Sequence, residues 1–258
     1  MVDLIKFWKE EEQVPVVGWT FPHAEGRVIE EVEPWSYMER AKELMANAES
    51  VLDLETGGAE RLIEMQAVWP KKVVATEAYP PNVKLARERL EPLGATLIDT
   101  KTSTVLPIPL EDESFDLIIN RHSSFNPAEL WRVLKPGGRF YTQQVHGYMI
   151  HDLLAAFDAP IPWPEATPEV NVPLLEAAGF EIIDEQDWTG EITYTDVGAI
   201  VYYFKTVPWM IEGFSVDTHL DYLIALQKRL EAEGSLTFET KKYMIEAKNL
   251  IKQTANRC

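Results

Sequence analysis

The chain has 258 residues, 46% of them hydrophobic, which suffices for one folded domain with a buried core. Asp and Glu total 42 against 24 Lys and Arg, and the formal net charge of -18 repels a phosphate backbone, which disfavours DNA or RNA as a substrate. Its one cysteine, Cys258, excludes an internal disulfide, and we expect a soluble, cytoplasmic protein because no long apolar stretch or secretory signal is present.

Residues 1–48 are predicted to form a cap segment that leads into the domain. Residues 1–35 mix aromatics, acids, glycines and prolines without a sustained period, which predicts a short helix followed by a winding segment. Ser36 and Glu39 then have the spacing of a capping box, and apolar residues follow at helical spacing up to Ala48. A helix therefore leads to the first strand.

From Ser50 onward, short apolar runs alternate with helical stretches. The predicted strands cover 51–54, 73–76, 95–98, 115–120 and 139–144, and the predicted helices cover 59–68, 81–90 and 127–134. Runs that are apolar on both faces are typical of parallel strands covered by helices on both sides. The alternation predicts right-handed crossovers and a parallel, Rossmann-like α/β sheet.

The remaining third is predicted to add a loop, further helices and two strands. Four prolines between residues 151 and 168 predict a loop, and a helix then ends at Gly179. Strands are predicted at 181–187 and 237–247, with helical spacing at 195–204 and 215–233. We predict a single domain made of a cap segment (1–48), a cofactor-binding core (49–188), a helical insert (189–234) and a last strand with its tail (235–258).

A ligand-binding bend is predicted directly after the first strand. Asp53 ends that strand, and the small residues Gly57, Gly58 and Ala59 let the backbone pass close to a ligand before the helix begins. An ordinary strand-to-helix turn would use glycine in the same way. Glu77 ends the second strand, about 20 residues beyond the bend, where an acid can accept hydrogen bonds from the ribose hydroxyls of an adenosine.

Three later segments resemble class I S-adenosylmethionine-dependent methyltransferases in their order and spacing. They are Leu106-Pro107, Glu113 to Ile119, and Leu134 to Phe140 with its Lys-Pro-Gly-Gly turn. The resemblance covers about residues 50–145, and strings such as Asn120-Arg121-His122 are similar to an uncharacterised bacterial branch of the family. It implies a doubly wound, mostly parallel sheet of seven strands with helices on both faces, a small helical cap, and S-adenosylmethionine as cofactor.

The resemblance also implies roles for individual residues. Glu77 would hold the ribose, and Ala78 and Tyr79 would lie against adenine. The other cofactor-binding residues implied are Asp53, Glu55, Thr56, Gly57, Gly58, Ala59, Thr102, Ser103, Asn120 and Arg121. Glu55 stands where the family usually has glycine, so it would either pair with the cofactor's ammonium group or narrow the site.

His122 is the candidate general base, because it follows the fourth strand and histidine titrates near neutral pH. The alternative is that it only hydrogen-bonds the loop. Five aromatic or histidine side chains are predicted to bind the methyl acceptor, although they could equally pack the cap onto the sheet: Trp19, Tyr37, His146, Tyr203 and Trp209. No histidine spacing indicates a metal site.

The sequence thus predicts a methyltransferase of a small-molecule acceptor, monomeric or homodimeric and without a nucleic-acid or membrane partner. A relative that binds the cofactor but is catalytically silent is the alternative that Glu55 suggests. A nicotinamide-dependent dehydrogenase is disfavoured, because the bend lacks Gly-x-Gly-x-x-Gly.

Overall fold

The computed structural model describes residues 2–16, 21–101 and 107–250, which divide into two compact units. The larger unit contains Trp35–Val145, Ala166–Asp187 and the chain from Tyr243, and the smaller unit contains Met1–Pro34, His146–Glu165 and Trp188–Lys242. The predicted boundaries of a single domain with cap and insert stay a prediction.

The described residues form strands and helices in near-regular alternation. The strands are β1 (Val28–Glu30), β2 (Ser50–Leu54), β3 (Lys72–Glu77), β4 (Thr96–Asp99), β5 (Phe115–Arg121), β6 (Leu134–Val145), β7 (Phe180–Tyr194) and β8 (Leu236–Asn249). The helices are α1 (Val2–Glu11), α2 (Tyr37–Ala46), α3 (Glu60–Glu64), α4 (Pro80–Leu90), α5 (Pro127–Val133), α6 (His151–Ala155), α7 (Pro168–Ala178), α8 (Val197–Thr206) and α9 (Leu220–Glu233). Short 3-10 turns lie at Pro22–Ala24, Gln66–Val68 and Glu91–Leu93.

The sheet of the larger unit has the order β7-β8-β6-β5-β2-β3-β4, and the pairs from β6 to β4 are parallel. From β2 the chain adds β3 and β4 on one side and then returns to add β5 and β6 on the other. The strand order therefore reverses between β2 and β5, which is where open parallel sheets bind ligands. This confirms the Rossmann-like fold class.

Both faces of this sheet are buried, as the apolar runs predict. Val51 and Leu117 belong to one apolar cluster, which α2 and α4 complete. Leu52 and Ile118 belong to another, which α5 and α7 complete. Successive strand residues thus enter opposite layers, because side chains alternate across a strand.

Polar caps fix where two of the helices begin. The Ser36 hydroxyl accepts a hydrogen bond from Glu39 N, and the Asn126 side chain accepts from Ala128 N and Glu129 N. Pro127 occupies the first turn of α5, where a missing N–H costs nothing. These caps confirm the predicted starts of α2 and α5.

The turn before the long part of β6 depends on a close approach of backbone. A Cβ on Gly138 would lie 2.9 Å from the carbonyl oxygen of Lys135 and 3.1 Å from that of Asp116. Only glycine fits there without a shift, which accounts for the Lys-Pro-Gly-Gly turn. The turn lies within β6, with a register shift against β5 between Phe115 and Leu117.

Four predictions about the elements were wrong in detail. The described residues contain an eighth strand, β1, which pairs antiparallel with β7 and is too short to show a pattern. The predicted loop over 151–168 contains α6, because its prolines come only after Ala155. β7 continues to Tyr194, so residues 189–194 of the predicted helical insert are strand. The predicted helix over 59–68 is α3 followed by a 3-10 turn.

The smaller unit is organised around a buried carboxylate. Glu11, 4% exposed, accepts a hydrogen bond from Arg27 at 3.0 Å, and Arg27 also binds both oxygens of Asp196 at 2.9 and 2.6 Å. Asp196 in turn caps α8 by accepting from Ala199 N at 2.8 Å. In the described part of the chain, no helix has the length and apolar character needed to cross a membrane.

Candidate functional site

The bend after β2 has a left-handed backbone at every second residue. Glu55, Gly57 and Ala59 have φ values of 55°, 64° and 66°. Glycine adopts this region freely, whereas a residue with a Cβ pays about 1–2 kcal/mol for it. Glu55, which stands where the resemblance implies glycine, and Ala59 therefore adopt a backbone conformation that glycine would adopt at a lower cost.

Hydrogen bonds to β3 and within the bend hold this backbone in place. Thr56 N donates to the Thr76 carbonyl at 2.9 Å, and Glu55 N donates to the Thr76 hydroxyl at 3.1 Å. The Thr56 hydroxyl donates to Asp53 Oδ2 at 2.6 Å. Because Thr76 is fully buried in β3, the bend is fixed to the interior of the sheet.

Glu77 lies directly against the bend. Its Oε2 accepts from Gly57 N at 2.7 Å, and its Oε1 accepts from Ala78 N at 2.9 Å and Tyr79 N at 2.8 Å. Burial raises the pKa of Glu77, and these three N–H donors oppose the rise. The acid and the small-residue bend, which the sequence places about 20 residues apart, form one structure.

Asp53 is a second buried acid at the end of β2. Burial raises its pKa to about 7, against the hydrogen bond from Thr56, and the negative charge of Glu77 adds to the rise. At this pKa, Asp53 carries a proton for much of the time at neutral pH, so the site can change charge near physiological pH.

Glu55 brings a third carboxyl group to the same place. Its Oε2 accepts from Ala78 N at 3.2 Å, so this N–H is shared with Glu77, and its Oε1 lies 3.5 Å from the Thr100 hydroxyl that follows β4. Burial and then the charge of Glu77 raise the pKa of Glu55 to about 7. Its backbone belongs to the bend, but its carboxyl group lies at the ends of β3 and β4.

Asn120 links the ends of β2, β5 and β6. It is fully buried, and its Nδ2 donates to the Leu54 carbonyl at 3.3 Å. Its Oδ1 accepts from the Thr142 hydroxyl at 3.0 Å and from Gln144 Nε2 at 2.5 Å. These hydrogen bonds set the spacing of the strand ends on the β5 side of the bend.

The two residues that follow Asn120 have different surroundings. The Arg121 guanidinium lies 6.0 Å from the ring of Tyr37, which is buried and stacks on Tyr141 with ring centroids 5.1 Å apart. His122 is exposed, with its Nε2 3.1 Å from Gln143 Nε2. Tyr37, a predicted acceptor-binding residue, therefore lies in the core of the larger unit.

The other predicted residues fall into three groups. Gly58 and Tyr79 lie in the larger unit, where the Gly58 carbonyl accepts from Arg89 at 2.7 Å and the Tyr79 ring is 60% exposed. His146, Tyr203 and Trp209 lie in the smaller unit, where His146 Nδ1 accepts from Tyr148 N and Trp209 is 48% exposed. Trp19, Thr102 and Ser103 lie outside the described residues.

Four residues of this region were not assigned to the cofactor site from sequence. Thr76 and Thr100 contact the bend and Glu55, while Gln143 contacts both Trp35 and His122. A signal existed for Gln143, because Thr142, Gln143 and Gln144 are three consecutive polar residues that directly follow the apolar Phe140 and Tyr141 in the same strand. Within the described ranges, no group of three or more His, Cys, Asp or Glu residues is arranged to hold a metal ion.

Comparison with known proteins adds a family match to this geometry. Residues 52–142, which run from β2 into β6, match the family described as "Methyltransferase domain". The matched segment contains the bend, the three acids and Asn120.

Two curated proteins are similar to part of the chain. An uncharacterized methyltransferase-like protein of Schizosaccharomyces pombe is 30% identical over 95 residues, covering 34% of this chain and 35% of that protein. Demethylmenaquinone methyltransferase of Deinococcus radiodurans is 30% identical over 115 residues, covering 41% of this chain and 46% of that protein. The matches span less than half of either relative.

A solved structure matches over a longer range. A Bacillus halodurans protein assigned as a methyltransferase superposes with a TM-score of 0.59 and 18% identity, covering 84% of this chain and all of that one. At this identity the likeness establishes the fold.

Proposed function

We propose that this chain is a class I methyltransferase and that it transfers a methyl group from S-adenosylmethionine to a small molecule. The observation that carries the proposal is the contact between Glu77 and the bend at Gly57. A buried carboxylate beside a left-handed bend, at the point where strand order reverses, supplies both an acceptor for ribose hydroxyls and a close backbone approach.

The residues present fit an adenosyl sulfonium in two respects and crowd it in a third. Glu77 and the Ala78–Tyr79 backbone fit the nucleoside, and the buried carboxyl groups of Asp53 and Glu77 favour a ligand that carries positive charge. The Glu55 carboxyl group occupies space beside Ala78 that a glycine would leave open.

When bound, S-adenosylmethionine supplies an electrophilic methyl group on a good leaving group. The protein's share of the reaction is to align the acceptor with that methyl and to exclude water. On this proposal, Glu77 and the bend hold the cofactor, and Asn120 fixes the distance between the bend and the end of β5, where the acceptor is expected.

A small-molecule acceptor is supported by charge. With 42 acids against 24 bases, the formal net charge of -18 repels a phosphate backbone, which disfavours a nucleic-acid acceptor. A cytoplasmic location and a monomeric or homodimeric state remain predictions.

The test combines binding with transfer. Calorimetry should detect saturable binding of S-adenosylmethionine and S-adenosylhomocysteine, and methyl-labelled cofactor should label a small-molecule extract but not RNA or DNA. If neither ligand produces heat at high protein concentration, the cofactor assignment is wrong. Label in the nucleic-acid fraction would instead overturn the acceptor class.

A second candidate, a relative that binds the cofactor without methyl transfer, is favoured by one observation. Glu55 shares the Ala78 N–H with Glu77, so a carboxyl group stands at the nucleoside end of the site. If the cofactor binds but no fraction of the extract accepts label, this candidate replaces the first.

A further inference from the structure

Three side chains form a hydrogen-bonded series in the larger unit: one from the segment before α2, one from the end of β6 and one that follows β5. The Trp35 indole Nε1 donates to Gln143 Oε1 at 2.8 Å, and Gln143 Nε2 lies 3.1 Å from His122 Nε2. The ring of His122 is thereby connected to an indole through one amide.

The Trp35 indole fixes which atoms of Gln143 and His122 donate and which accept. An indole nitrogen only donates, so the atom of Gln143 that faces Trp35 is its oxygen. The atom that faces His122 is then the NH₂ group, which also only donates. His122 Nε2 must therefore accept, and an imidazole that accepts through Nε2 carries its hydrogen on Nδ1 when neutral.

The amide cannot readily turn over to reverse these roles. Gln143 is fully buried, and turning it would point NH₂ at the indole N–H and leave both donors unsatisfied. A backbone hydrogen bond also joins the two residues, because His122 N donates to the Gln143 carbonyl at 2.9 Å. His122 has φ 59°, a left-handed conformation that is uncommon for a residue with a Cβ, so both its ring and its main chain are positioned by Gln143.

We propose that Trp35 and Gln143 are positioning residues that hold His122 in its Nδ1–H tautomer, so that neutral His122 acts toward the methyl acceptor as a hydrogen-bond donor and not as the general base. The tautomer follows from the contacts of the protein alone. The role toward an acceptor rests on the proposed function.

This inference reverses the expectation from sequence, in which His122 accepts the acceptor's proton. In the neutral ring, the only lone pair that could take a proton is engaged by Gln143 Nε2. An acceptor that reacts beside His122 must therefore present its reacting lone pair without losing a proton to that ring.

The tautomer can be measured directly by nitrogen NMR on protein labelled in its five histidines. The signals of His122 are identified by their loss in a His122→Asn variant. We expect a pyridine-type shift for Nε2 and a pyrrole-type shift for Nδ1, with at least about a tenfold preference for this tautomer over the other.

Two variants test the cause, and a third serves as the control. Trp35→Phe removes the indole donor and releases the amide, so the preference should fall towards a mixture. Gln143→Glu replaces the donor by a carboxylate, so the proton should move to Nε2. Trp69→Phe removes an indole N–H that donates to the Leu62 carbonyl, and it should leave the His122 signals unchanged.

A pyrrole-type Nε2 in the wild type would overturn the inference, as would signals that Trp35→Phe and Gln143→Glu leave unchanged. Calorimetry with S-adenosylhomocysteine on the same samples separates the two proposals. Retained binding with the wrong tautomer refutes only this inference, whereas the expected tautomer without binding refutes the methyltransferase assignment and the role of His122 toward an acceptor, and leaves the tautomer established.

Discussion

Glu77 Oε2 accepts a hydrogen bond from Gly57 N at 2.7 Å, which joins the end of β3 to the bend that follows β2. Glu77 is 4% exposed and binds two further backbone N–H groups. A charge-assisted hydrogen bond of this kind contributes about 1.5–3 kcal/mol. The acid that is proposed to hold the ribose thus also holds the shape of the bend.

Replacing Glu77 by glutamine should weaken both the binding of the ribose and the hydrogen bonds that hold the bend. The amide keeps the volume of the side chain, but one of its two ends is a donor that faces backbone N–H groups. We expect affinity for S-adenosylhomocysteine to fall about 10- to 100-fold, which corresponds to roughly 1.4–2.7 kcal/mol. Calorimetry measures this change, and Glu88→Gln on the exposed face of α4 is the matched control. Equal affinities of the two variants for S-adenosylhomocysteine would show that Glu77 does not contribute to cofactor binding.

Glu55 should oppose binding through the bulk and charge of its carboxyl group. Glu55→Gly clears the space beside Ala78, so we expect tighter cofactor binding, by about three- to tenfold, while relief of the left-handed backbone at φ 55° adds to stability and not to affinity. Glu55→Gln keeps the strain and the bulk but removes the charge, and it separates the two effects. If Glu55→Gly binds the cofactor more weakly than the wild type, Glu55 is a ligand of the cofactor and not an obstacle.

Asp53 should make the protein less stable as pH rises from about 4 to about 7. Its pKa is raised to about 7 in the folded state, so between these pH values the folded protein binds more protons than the unfolded chain. The free energy of unfolding then falls with rising pH, on the order of a few kcal/mol in total. Urea denaturation of Asp53→Asn at pH 5 and pH 8 should show a smaller difference than the wild type shows. An identical difference in both proteins would mean that Asp53 titrates normally.

Asn120 should be important for stability. Asn120→Ala removes the hydrogen bonds to the Leu54 carbonyl, the Thr142 hydroxyl and Gln144 Nε2, although Gln144 Nε2 keeps its bonds to the Ser123 carbonyl and the Thr142 hydroxyl. Each hydrogen bond lost in the interior costs about 1 kcal/mol, so we expect a loss of about 3 kcal/mol in the free energy of unfolding. Gln66→Ala at an exposed position should change it by less than about 0.5 kcal/mol. Similar values for the two variants would show that the buried network is dispensable.

The sequence predicts the sheet of the larger unit well because β2, β3 and β5 are buried on both faces and read as apolar runs. The caps at Ser36 and Asn126 could also be predicted, since each depends on residues within one helical turn. β1 could not be predicted, because three residues carry no periodicity and pair with a strand more than 160 residues away.

Only part of the candidate site could be predicted from the sequence, for a different reason. Glu77 follows its strand at a regular distance from the bend, so sequence spacing places it. The position of the Glu55 carboxyl group depends on a side chain turning towards Ala78 and Thr100, and the tautomer of His122 depends on Trp35 and Gln143. Such contacts between distant residues leave no local pattern, so they emerge only from the folded chain.

The most direct test of the proposed site is a backbone NMR titration with S-adenosylhomocysteine, following the amide signals of Gly57, Ala78 and Tyr79. We predict that all three shift together and saturably, and that Glu77→Gln reduces the response at each of them. Saturable binding that leaves these three amides unchanged, or no binding at all, would contradict the proposal that Glu77 and the bend hold an adenosyl ligand.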